Sequence, residues 1–161
     1  MMADSLFVGV NFRQAVQKCC GQIGWQIADL NESRALLQFE TALGRTQNFF
    51  ILRYDSTLEF SAPSAFRFET EDQIPQRLLL MLLRRNTENK IGFWCIKMLN
   101  GKLTSSYMHN ADLSCIMDVE YFTRVVRFLV RECEEVEKML SRMNQVGCLA
   151  SPAIVSPSKH E

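Results

Sequence analysis

A chain of 161 residues with 47% hydrophobic and 22% charged residues has the composition of one globular domain, well outside the low-hydrophobicity regime of disordered chains. Eighteen basic residues balance eighteen acidic ones, so no net field draws in nucleic acid or an anionic membrane, and neither is expected as a partner. The first ten residues lack the basic segment and long apolar run of a signal peptide, and no later stretch reaches membrane-spanning length; the expected compartment is the cytoplasm.

Six cysteines (Cys19, Cys20, Cys95, Cys115, Cys133 and Cys148) are scattered singly apart from one adjacent pair, the pattern of reduced, buried thiols.

Asn11 and Gln14 form an N-x-x-Q capping box, and Ala15, Val16, Cys19, Cys20 and Ile23 recur at helical spacing up to Gly24, which predicts a first helix from about Phe12 to Ile23. Trp25 to Leu30 and Ala35 to Glu40 read as two strands about the turn Asn31-Glu32-Ser33-Arg34. Asn48 to Tyr54 carries a β-favouring Phe-Phe-Ile-Leu centre. Beyond Asp55-Ser56, Leu58, Phe60 and Ala62 alternate with polar residues in a strand expected to end at Pro63. Phe66-Arg67-Phe68 fits either a short strand or an apolar plug.

Pro75 suits the first position of a second helix, whose run Leu78 to Leu83 is apolar on nearly all sides and is expected to be buried, inside the domain or between subunits. Asn100-Gly101 is the strongest short signal for a two-residue hairpin, here joining Gly92–Leu99 to Lys102–His109. Asp118 caps a last helix from Val119 to about Asn144, stopped before Gly147. The expected organisation is one α+β domain over 1–146, in the order α-β-β-β-β-α-β-β-α with a mostly antiparallel sheet, and a flexible tail over 147–161.

The last helix carries the most specific pattern. Phe122, Val126, Leu129, Cys133, Val136, Leu140 and Met143 form a heptad seam. Arg124, Arg127 and Arg131 fill its first half and Glu132, Glu134, Glu135 and Glu137 its second, an order that opposes the helix dipole. The default expectation is that the seam packs on its own sheet. The alternative is an antiparallel second copy that buries the seam and sets arginines against glutamates. Candidate interface residues are therefore Phe122, Val126, Leu129, Val136 and Leu140 on this helix, and Leu79, Leu82 and Leu83 on the second.

Catalytic and cofactor chemistry find little support. Cys115 lies six residues after His109, yet no Asn or Asp is placed in a recognisable motif to orient the imidazole, and a structural role is expected for both. His160 lies in the tail. Cys19-Cys20 has no second cluster to complete a zinc site, and no glycine-rich phosphate loop occurs; no metal or cofactor is expected. Glu134 and Glu135 are expected on a solvated face.

The element order, the segment Leu82-Leu83-Arg84-Arg85-Asn86 followed by Ile91-Gly92-Phe93-Trp94, the Asn100-Gly101 turn and the run Phe122 to Leu140 together resemble the YbjN-type family. Those proteins are labelled bacterial sensory transduction regulators and share a type III secretion chaperone-like fold. The resemblance spans about Phe7 to Met143. It implies a compact protomer, often dimeric, that binds polypeptide and performs no chemistry. Secretion chaperones are usually acidic and this chain is neutral, which argues against a role in effector export. The expected function is a homodimeric, non-enzymatic protein-binding module, chaperone-like or adaptor-like. The alternative is a ligand-responsive regulatory domain with a pocket lined by Trp25, Phe39, Phe60 or Trp94.

Overall fold

The computed structural model describes residues 11–145. Helix α1 (Phe12–Ile23) starts where the Asn11 side chain accepts from the Gln14 amide and stops at Gly24, which takes the left-handed conformation at φ 79°. Six strands follow as one antiparallel sheet: β1 (Ile27–Leu30), β2 (Arg34–Glu40), β3 (Thr46–Tyr54), β4 (Thr57–Phe68), β5 (Phe93–Leu99) and β6 (Lys102–Asp112), in spatial order β1-β2-β3-β4-β6-β5. Helix α2 (Gln76–Glu88) precedes β5, and a short 3-10 segment, Leu113–Met117, leads into α3 (Val119–Gln145). The predicted α+β order is the observed one. The predicted tail, with Cys148 and His160, lies outside the described residues. Among those that are described, no helix is long and apolar enough to cross a membrane.

Side chains of alternating residues divide the sheet into two faces. Ala35, Leu37, Phe49, Ile51, Leu58, Phe60, Ala62 and Tyr107 point to one side and are buried there under α3. The α3 seam answers them: Phe122, Val126, Leu129, Cys133, Val136 and Leu140 are fully buried, so the heptad repeat packs on the protomer's own sheet. Val125 joins them, which widens the seam to the stripe of a core-facing helix.

Two sequence expectations are corrected here. Strand β4 does not end at Pro63 but runs on to Phe68, taking in Phe66-Arg67-Phe68. Proline is accommodated because β3 pairs with β4 only as far as Ser61, and the β4–β6 register shifts between Pro63 and Arg67. The buried Gln47 amide bridges the opening, its Nε2 donating to the Asn48 and Pro63 carbonyls at 2.8 Å each. Nor is α2 buried on all sides inside the domain, the first of the two burials expected of it. Only Leu78 and Leu82 are, because the helix lies at the β5 end of the sheet, and Leu80 and Leu83 remain 48% and 62% exposed.

The charge order of α3 is balanced inside the protomer. Glu132, in its middle, takes a bidentate pair of hydrogen bonds from Arg85 of α2 (Nε 2.6 Å, Nη2 2.7 Å) and a third from the Trp94 indole of β5 at 3.1 Å. Burial opposes its ionisation, but the Arg85 and Trp94 hydrogen bonds and the Arg85 charge outweigh burial and hold its carboxyl below the usual range. Glu137, 1% exposed, pairs with Arg45 and accepts from the Ala65 amide at 2.7 Å. Glu134, expected on a solvated face, is partly buried and accepts from the Ala42 amide and Lys138; Glu135 alone is well exposed.

The segment that carries the family resemblance is built around the same strand. Asn86 accepts from the Trp94 amide at 2.6 Å and donates to its carbonyl at 3.1 Å, occupying the outward hydrogen-bonding groups of the edge strand as a neighbouring strand would. Gly92 has φ 82°, and a Cβ there would meet the Met108 carbonyl oxygen at 2.6 Å, so only glycine fits. The Asn100-Gly101 turn has positive φ at both residues, as a type I′ hairpin requires.

In denaturant unfolding, Glu132→Ala is expected to cost about 3 kcal/mol, the low end for a broken buried pair because Arg85 keeps some contact with water. Glu135→Ala, three residues along the same helix, is expected to cost less than about 0.5 kcal/mol. Equal midpoints for the two variants would remove Glu132 from its central place.

Candidate protein-binding surface

Burial of the seam decides which candidate interface residues a partner can reach. Phe122, Val126, Leu129, Val136 and Leu140 lie in the core under the sheet, and Leu82 is buried between α2 and the sheet. None of these six forms a surface of the folded protomer, which corrects the expectation that they could meet a partner directly. Leu79, half-buried, and Leu83, exposed, remain accessible, with Leu80 beside them.

The rings expected to line a pocket, Trp25, Phe39, Phe60 and Trp94, are packing elements among the described residues. Trp25 meets Phe39 edge-on at 5.2 Å between ring centroids, Phe60 lies 6.1 Å from Phe122, and Trp94 lies 5.1 Å from Tyr107. Phe60 and Trp94 are buried.

The Cys115–His109 pair does not assemble either. The His109 Nε2 partner is the Tyr121 hydroxyl at 2.7 Å. Burial, with the nearby Asp112 carboxylate, pushes the Cys115 thiol up to about 11, so at neutral pH it is not the thiolate a nucleophile needs. Burial likewise raises Cys20 and Cys133 to about 12. Among the described residues, no three His, Cys, Asp or Glu side chains come together as metal ligands would.

What α3 does present to solvent is its arginines. Arg124, Arg127 and Arg131 recur at i, i+3 and i+7 and so share one face. Each guanidinium lies over an aromatic ring: Arg124 over Tyr121 at 5.6 Å, Arg127 over Trp25 at 5.9 Å and Arg131 over Phe128 at 5.5 Å. All three are exposed, and among the described residues none forms an ion pair with a carboxylate. They line an open trough of about 850 Å³ together with Val119, Glu120, Thr123 and Phe128. The sequence showed the arginines, but the rings beneath two of them come from the i−3 positions on the same helix, and the third, Trp25, from the far end of α1, which spacing does not reveal.

The architecture is that of an α+β domain with all three helices tied to a six-stranded antiparallel sheet. A solved structure with this fold is "YbjN, a putative transcription regulator from E. coli", similar at a TM-score of 0.56 and 14% identity over 85% of this chain and 94% of that one. The likeness shows a shared fold. No family model matches the sequence, and no curated protein matches it.

His109 gives a pH signature. Burial lowers its pKa below the ordinary 6.5, so between the folded and unfolded values the unfolded chain binds more protons. Stability is therefore expected to fall as pH drops through about 6.5 and to level off below the folded value; the Glu132 loss enters separately, below its ordinary 4.5. Thermal melts between pH 7.5 and 5.5 should show this slope, and His109→Phe should flatten it. An unchanged slope in that variant would assign the pH dependence elsewhere.

Proposed function

We propose that this protein is a non-enzymatic regulatory adaptor of the cytoplasm that captures an acidic amphipathic helix of a partner protein along the arginine stripe of α3. The observation that carries this reading is the stripe itself: three exposed guanidiniums, held on aromatic rings, that form no ion pair with a carboxylate of the described residues. Stacking limits the freedom of each side chain without using its outward N–H donors, so less ordering is needed when a carboxylate arrives. From Arg124 to Arg131 the helix rises about 10 Å. A partner helix with Asp or Glu at i, i+3 or i+4, and i+7 matches that length, and its apolar face meets Val119 and Phe128 in the trough. The regulator description given to the structurally similar YbjN is compatible with this role, and that protein is not described as an enzyme.

The test is a fluorescence anisotropy titration with a labelled acidic amphipathic helical peptide and its Glu→Gln counterpart. The acidic form is expected to bind at least about tenfold more tightly at low salt, and Arg127→Glu with Arg131→Glu should remove that preference while leaving the melting temperature unchanged. Equal affinity for the two peptides, or tighter binding of a single-stranded oligonucleotide, would overturn the reading.

The adaptor is proposed to act as a homodimer through α2. Leu80 and Leu83 are large, exposed and one turn apart, and an antiparallel two-fold sets Leu80 of one copy against Leu83 of the other, with Leu79 at the rim. Light scattering on the eluted protein should give a dimer, and Leu80→Glu with Leu83→Glu a monomer. A dimer that survives both substitutions has its interface elsewhere.

A further inference from the structure

The face of the sheet away from the helices is strongly curved. Lys97 on β5 stands opposite Thr104 of β6, and Glu59 on β4 stands opposite Asn110, six residues further along that strand. In a flat sheet this is about 20 Å along the strand, more than the two side chains span. Yet Lys97 Nζ reaches Glu59 Oε1 at 2.6 Å, crossing above β6, the strand between them. The sheet is therefore coiled, with the β4 irregularity after Pro63 as its bend, and its outer face folds into a hollow.

That hollow is a cavity of about 250 Å³. Phe50, Leu52, Pro63 and Leu99 make apolar walls, and Ser61 and Ser106 line it between the larger side chains. Ser106 is fully buried, and its hydroxyl has no hydrogen-bond partner in the protein. A buried unpaired hydroxyl costs about 1–3 kcal/mol, so its place on the cavity wall calls for a partner from outside the chain.

We infer that this cavity is a binding site for a small, free aromatic molecule bearing one hydrogen-bonding group, its ring between Leu52, Pro63 and Leu99 and its polar group on the Ser106 hydroxyl. Size sets the class: an apolar cavity of roughly 150 Å³ admits benzene, so this one takes a substituted or bicyclic ring, and drug-sized ligands need more room. Charge sets it further. Lys97 is neutralised by Glu59, and Arg34, at the rim, by Asp29, so the site offers no free charge to an ionic ligand. The site lies on the sheet face opposite α3 and shares no residue with the arginine stripe, so either assignment stands or fails without the other.

The experiment is a heteronuclear NMR titration of the full chain with 2-naphthol and, separately, with naphthalene, on the native protein and on Ser106→Ala. Saturable one-to-one binding of 2-naphthol is expected, with shifts centred on Ser61, Ser106 and Leu99. Ser106→Ala should weaken 2-naphthol about five- to tenfold, the worth of one hydrogen bond, and leave naphthalene within about twofold. Leu99→Trp, which narrows the cavity without touching the hydroxyl, should weaken both. Absence of saturable 2-naphthol binding to the native protein overturns the site. So do shifts centred on other residues, or equal losses for the two probes in Ser106→Ala.

Discussion

The fold turns on one carboxylate. Glu132 sits where α3 crosses the β5 end of the sheet, and its two oxygens hold the Arg85 fork and the Trp94 indole together. Ionised carboxylates are seldom buried unless every oxygen is engaged, and here the charge-assisted bonds outweigh the cost of desolvation. The consequence is architectural. Helix α2 has few apolar anchors, Leu78 and Leu82, and without the Arg85 link it would be held at the edge by little else. With the link in place, Asn86 comes within reach of the Trp94 backbone and closes the one sheet edge that α2 borders. The motif from Leu82 to Trp94 is thus a single device: two leucines to seat the helix, an arginine to fasten it to α3, an asparagine to seal the strand, and a glycine to let the chain pass Tyr107.

Such a device makes the two faces of the sheet unequal. All three helices are drawn to one side, where the aromatic and aliphatic core is packed. The other side is left to small residues at its centre, Ser61, Pro63 and Ser106, and to larger ones around them. Coiling of the sheet then follows from the packing of its inner face around α3 and from the break in pairing at Pro63. The outer hollow is the geometric counterpart of the inner fit.

Much of this was legible in the sequence. The Asn11 cap and Gly24 stop bound α1 to the residue, and Asn100-Gly101 placed the hairpin, because these are local signals set by one or two residues. The element order and the α3 seam were legible for the same reason: periodicity is a property of a short window. Pro63 misled because whether a strand tolerates proline depends on its neighbour, and β3 stops pairing just before that point. The leucine run of α2 did not show which of its faces the domain itself buries, because that depends on position in the sheet order, and α2 lies at its end. The glutamates of α3 misled most. Their partners, Arg85 and Arg45, lie far back in the chain, and no spacing rule connects them, so glutamates paired within the protomer left a second copy standing as the alternative.

The same comparison isolates what the protomer leaves unbalanced. Of the seven charges that define the α3 pattern, Glu132, Glu134 and Glu137 are engaged by Arg85, Lys138 and Arg45, and Glu135 lies 3.7 Å from Lys138. The arginines have rings beneath them and, among the described residues, form no ion pair with an acid. A charge pattern kept only for solubility has no need of stacked, ordered side chains, since hydrated lysines on a mobile stem serve that end. Arginines fixed on aromatic faces present oriented donors at low entropic cost. The seam that first drew notice to α3 is closed inside the fold, and its outer arginine face is the part of the helix that remains open to another molecule.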